Sequence, residues 1–74
     1  MNETIVHVPR GTAVVNYSLP DGRRKSRKFK LVAPADARDR DLYRLAEKSL
    51  RDVDPLGLPG IHKITLILDE TGAD

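Results

Sequence analysis

From Thr12 to Leu19 the side chains alternate with a period of two, Ala13, Val15, Tyr17 and Leu19 on one face and Val14, Asn16 and Ser18 on the other. That period belongs to a β-strand with its odd-numbered face buried. The strand runs into Pro20-Asp21-Gly22, where proline presets the first turn position, aspartate caps its own turn and glycine accepts positive φ. The chain therefore doubles back, and it returns as Arg23-Arg24-Lys25-Ser26-Arg27-Lys28-Phe29-Lys30. A three-residue turn pairs Leu19 with Arg23, Tyr17 with Lys25, Val15 with Arg27 and Ala13 with Phe29. A four-residue turn sets Phe29 against the polar face, so the three-residue register is preferred. The outer face of the pair then shows Ser18 with Arg24, Asn16 with Ser26, Val14 with Lys28 and Thr12 with Lys30. Near the tip both faces are cationic. An uncompensated buried cation costs several kcal/mol, so this tip is expected to project beyond the core as a two-stranded arm.

Six of the thirteen Lys and Arg lie between Arg23 and Lys30, which leaves seven to face eleven Asp and Glu. The formal total of +2 thus joins a cationic hairpin to a body of net −4. Seventy-four residues suffice for one domain with a thin two-layer core, too small to enclose an extended substrate cavity. Without cysteine neither a disulfide nor a thiolate metal site forms, and a chain this small without staples suggests self-association, with a homodimer as one form. No apolar run approaches the roughly 20 residues that cross a bilayer, and Met1-Asn2-Glu3-Thr4 lacks the order of a signal peptide, so a cytoplasmic protein without a membrane partner is expected.

The rest of the chain reads as an α+β domain, in the order βββαβ: a three-stranded antiparallel meander, one helix packed on the sheet, and a fourth, C-terminal strand. Thr4 to Val8 is rich in β-branched residues and is followed by Pro9-Arg10-Gly11, which predicts a first strand and a tight turn. After Pro34, Asp36 or Asp39 is expected to cap a helix running to about Val53, with Leu42, Leu45, Ala46, Leu50 and Val53 on its apolar stripe. Asp54 to Gly60 is predicted as a shaped loop. Ile61 to Asp69 is the last strand, with Ile64, Leu66 and Leu68 in one row and Lys63, Thr65 and Ile67 in the other. Glu70 to Asp74 is expected to be a mobile tail.

Arg23, Arg24, Lys25, Arg27, Lys28 and Lys30 are the residues expected to bind nucleic acid. Cations at this density supply phosphate contacts, a two-stranded ribbon fits a major groove, and arginines offer paired donors to guanine edges. Other readings of the run are a solvated edge that blocks strand pairing, or a dock for an acidic protein. Tyr17, Asp21-Gly22-Arg23-Arg24 and Lys28-Phe29, followed by an alanine-bearing helix, resemble the small N-terminal arm-site-binding domains of phage-type tyrosine recombinases. The likeness covers less than half of the chain and implies a three-stranded sheet that reads DNA with a helix packed behind it. The sequence departs from that pattern in carrying Ile61 to Asp69 after the helix and no catalytic domain.

Arg40, Arg44, Lys48 and Arg51 form an auxiliary basic surface on the helix, interrupted by Glu47. Only Tyr17, Phe29 and Tyr43 are aromatic, and the first two point to the core, so base stacking is disfavoured and duplex or backbone binding is the expected mode. His7 and His62 lack metal-ligand spacing, Ser18, Ser26 and Ser49 sit in no nucleophile motif, and no glycine loop for a phosphate is present; neither an enzyme nor a cofactor is expected. Ile5, Val14 and Ile67 fall on the sheet face away from the helix as a possible protein interface. A protein-binding module, inhibitor or adaptor is accordingly the alternative function.

Overall fold

Strand β1, His7–Ser18, and strand β2, Arg24–Pro34, form an antiparallel hairpin whose turn is closed by Leu19 N–H to Arg23 O at 2.8 Å and Gly22 N–H to Leu19 O at 2.9 Å. A computed structural model of the chain describes residues 6–69. The register is the one that the burial of Phe29 demanded: Ala13 faces Phe29, Val15 faces Arg27, Tyr17 faces Lys25 and Ser18 faces Arg24. Helix α1, Asp39–Val53, crosses one face of the sheet, a six-residue 3-10 turn, Pro55–Gly60, follows it, and strand β3, Ile61–Leu68, returns antiparallel to β1. The sheet order is β2-β1-β3. This is the expected α+β arrangement, one helix on an antiparallel sheet with a strand after the helix.

The segments expected as two strands on either side of Pro9-Arg10-Gly11 are continuous in β1, so the described strands number three. Instead of reversing the chain, these residues make a β-bulge between Pro9 and Gly11, and Gly11 takes φ 140°, a conformation strained for any residue with a Cβ. Proline is tolerated there because it sits at the bulge, beyond Gly11, the last described β1 partner of β3. The bulge also sends the Arg10 guanidinium to the β2–α1 connection, where Nη1 donates to Pro34 O at 2.7 Å and Ala37 O at 3.1 Å. The third strand comes from beyond the helix, so the sheet is not completed ahead of the helix as the resemblance to recombinase arm domains implies.

Ala13, Val15 and Tyr17 of β1, Leu31 and Ala33 of β2, and Leu42, Ala46 and Leu50 of α1 are buried, while Phe29, Ile61, Ile64 and Leu66 pack around them half-covered. The alternation in the strands and the four-residue spacing in the helix thus meet in one thin core. Neither Asp36 nor Asp39 is the N-cap; Arg38 holds that position, and its N–H donates to Asp41 Oδ2 at 3.0 Å. Val53 is exposed, because the chain leaves the helix at Asp54 and Gly57 of the 3-10 turn, not Val53, packs on the Tyr17 ring. Ile5 and the tail Glu70 to Asp74 lie outside the described residues.

Candidate functional site

Thr12, Val14, Asn16 and Ser18 of β1, the even-numbered residues of β2, and Lys63, Thr65 and Ile67 of β3 form the sheet face opposite the helix, which nothing covers among the described residues. Reading across the strands, the rows are Lys30, Thr12 and Ile67; Lys28, Val14 and Thr65; and Ser26, Asn16 and Lys63. Arg24 and Ser18 make the row nearest the turn. These rows therefore carry Arg24, Lys28, Lys30 and Lys63 and no carboxylate; Asp69, whose N–H donates to Arg10 O, follows beyond Ile67 at the far end. All four are exposed, and among the described residues the only ion pair lies elsewhere, between Arg23 and Asp21. A shallow depression between Arg24, Ser26, Asn16, His62 and Lys63 marks the turn end of this face.

The six cations of the run have four different situations. Arg23 is bound to its own turn: its N–H donates to Asp21 Oδ1 at 3.0 Å and its Nε to Oδ2 at 2.8 Å. The backbone N–H of Arg23 and then its guanidinium hold the Asp21 carboxyl below its usual range. Arg27 lies on the helix side of β2 and donates from Nε to the Tyr17 hydroxyl at 3.0 Å. That hydroxyl in turn donates to Asp54 Oδ2 at 2.7 Å, so the basic strand is tied through Tyr17 to the C-terminus of α1. Burial above all, and then the hydrogen bond to Asp54, push the Tyr17 phenol above its ordinary value. Lys25 shares the helix side of β2 with Arg27 and is exposed without an ion pair among the described residues. Arg24, Lys28 and Lys30 remain on the open face.

The arm is shorter than the register alone suggests. Strand β3 accompanies β1 as far as the Tyr17–Ile61 pair, so only the turn region beyond it is two-stranded, and the lysines of the run sit on the open edge of a three-stranded sheet. On the helix, Arg40, Arg44, Lys48 and Arg51 are all exposed. Arg40, Arg44 and Lys48 line a cleft with Arg38, Val32 and Pro34 at the far end of β2, together with Asp36 and Asp41. Arg51 lies outside this cleft and, with Arg44 and Lys48, borders a second depression beside Glu47, Leu58 and Ile61. Val14 is half-buried, and Ile67 exposed, at diagonal positions within the cationic face.

Sequence reasoning missed Lys63 as a member of this face and missed the Ser18–His62 contact, in which Oγ and Nε2 lie 2.6 Å apart. The signal for Lys63 was present in its row with Thr65 and Ile67; what was absent was the knowledge that β3 lies next to β1. His7 and His62 occupy opposite ends of the sheet, and no cluster of metal-ligating side chains occurs among the described residues. No described helix is long and apolar enough to cross a membrane. Comparison with protein-family models, with curated proteins and with solved structures finds no match to this chain.

Proposed function

We propose that this protein is a non-enzymatic accessory protein that binds a nucleic-acid duplex along its phosphate backbone with the open face of the sheet. The observation that carries this reading is the set Arg24, Lys28, Lys30 and Lys63, aligned on one face that is uncovered among the described residues, in rows that hold no carboxylate. Strands lie ~4.8 Å apart, so three of them span roughly 10 Å before side chains are added, whereas a major groove is ~12 Å wide. The face is broad for insertion and well suited to lie across phosphates. Thr12, Ser18, Ser26, Asn16 and Thr65 between the cations supply neutral donors of the kind that position a backbone.

Counterion release sets the scale. Four phosphate contacts give a slope of about −3.6 in log K against log salt, or roughly a hundredfold loss of affinity between 50 and 200 mM salt. Fluorescence anisotropy with a labelled duplex tests this in the intact protein and in Lys28→Ala/Lys30→Ala, for which the slope should become shallower by about 1.8. Replacement of Arg23, held by Asp21, should change the slope far less. No binding at low salt, or equal slopes for the intact protein and the double variant, rejects the reading. A protein partner, captured from nuclease-treated extract through Val14 and Ile67 and not through the lysines, would establish the alternative of a protein-binding module.

A further inference from the structure

The two edges of the sheet differ in kind. The β2 edge carries Arg24, Lys25, Arg27, Lys28 and Lys30 and ends in Pro34, the charges and proline that keep an edge strand from recruiting another chain. The β3 edge, Ile61–Leu68, reads Ile-His-Lys-Ile-Thr-Leu-Ile-Leu, with one charge and neither proline nor glycine. No described strand pairs with its outer side. Its core-side residues Ile61, Ile64 and Leu66 are only partly covered, and Ile67 and Leu68 are 56% and 40% exposed. The fully buried sheet residues lie on β1 and β2, so the covering layer thins toward this edge.

We infer that β3 is the dimer interface, and that a second copy of the chain adds its own β3 antiparallel to form a continuous six-stranded sheet centred on Leu66. The backbone sets which groups are available. Asp69 N–H donates to Arg10 O at 3.0 Å, so Asp69, Ile67, Thr65 and Lys63 direct their backbone groups to β1, while Leu68, Leu66 and Ile64 direct theirs outward. A two-fold axis through Leu66 pairs Leu66 with itself and Ile64 with Leu68 of the second copy, so that these outward N–H and C=O groups meet as hydrogen-bonded pairs. The same register sets Lys63 opposite Asp69 of the second copy, twice by symmetry. Centring the axis on Thr65 instead opposes Asp69 to Ile61, and centring it on Ile64 leaves Lys63 opposite Thr65. Only the Leu66 register matches the charges. It also keeps both helices on one side of the sheet and Arg24, Lys28 and Lys30 of both copies on the other, with the Lys63–Asp69 pairs between them. The inference stands on the edge strand and not on what the cationic face binds.

Sedimentation equilibrium on the intact chain, without nucleic acid, tests it. The expected species at high concentration has twice the 8.3 kDa chain mass. Lys63→Asp or Asp69→Lys alone sets like charges against each other at both ends of the interface and should raise the dimer dissociation constant about tenfold or more. The double variant K63D/D69K should restore it, and a mixture of the two single variants should form the heterodimer in preference to either homodimer. Circular dichroism checks that each variant keeps its fold. Because the chain has no cysteine, a second readout is direct: opposed Cα atoms in a hydrogen-bonded pair stand ~5.5 Å apart, within disulfide range. Oxidised glutathione should therefore link Leu66→Cys copies and leave Val32→Cys copies, on the other edge strand, unlinked. A chain monomeric at every concentration, a dimer indifferent to both charge reversals, or cross-linking at Val32 and not at Leu66 overturns the inference.

Discussion

Replacing Tyr17 by Phe removes one oxygen from the place where strand, helix and basic run are joined. The ring stays, and with it the packing against Gly57 and the core. Two hydrogen bonds go, the one to Asp54 at 2.7 Å and the one from Arg27 at 3.0 Å. A hydrogen bond to a charged group is worth ~1.5–3 kcal/mol net, but Asp54 is half-exposed and Arg27 exposed, so water takes back part of both and the loss should be about 1–1.5 kcal/mol. For a domain of this length that lowers Tm by roughly 4–12 °C. Urea and thermal unfolding of the two proteins near neutral pH measure it. The pH dependence supplies a second check. The Tyr17 phenol is pushed up by folding, so its contribution is complete below the ordinary value near 10 and is lost as pH rises through the folded value. The gap between the tyrosine and phenylalanine proteins should hence narrow in alkaline solution, with the lysines common to both. A loss under about 0.5 kcal/mol, half the lower bound set by the hydrogen bonds, or a gap independent of pH, would refute the latch between β1 and the end of α1.

Two further substitutions probe the frame that holds the face. Gly57→Ala would place a methyl group in the Tyr17 ring, which is buried and has no room to yield, so unfolding experiments should show a loss of about 1–3 kcal/mol. Arg10→Ala deletes the guanidinium that bonds the carbonyls of Pro34 and Ala37; a stability loss of about 1–2 kcal/mol is expected by urea titration, while the slope of duplex binding against salt should hardly change.

The hairpin was legible because its constraints are local. Only one register buries Phe29 beside Ala13, and Pro20-Asp21-Gly22 sets the loop length, so pairing followed from residues within a short span. Pro9-Arg10-Gly11 misled because proline and glycine mark a bulge as readily as a turn. The length of β2 argued for the bulge: a strand reaching Pro34 needs a partner extending well before Thr12, and β1 supplies it from His7. The helix was legible from Leu42, Ala46 and Leu50, but its cap was not, since Arg38 takes the position through the carboxylate of Asp41 and has no acceptor of its own.

By itself the sequence determined the elements and the polarity of their faces: a hairpin with cations on its returning strand, a helix with one apolar stripe, and a last strand alternating Ile64 and Leu66 with Lys63 and Thr65. These follow from periods of two and of 3.6, which neighbours along the chain impose. The tertiary structure decided which strands are neighbours and which cations are free. By laying β3 beside β1 it brought Lys63 onto the face of Lys28 and Lys30. By folding Asp54 against Tyr17 it tethered Arg27. Among the described residues it also left β3 with an open apolar edge. Such facts depend on contacts between residues far apart in the chain, and no local period encodes them.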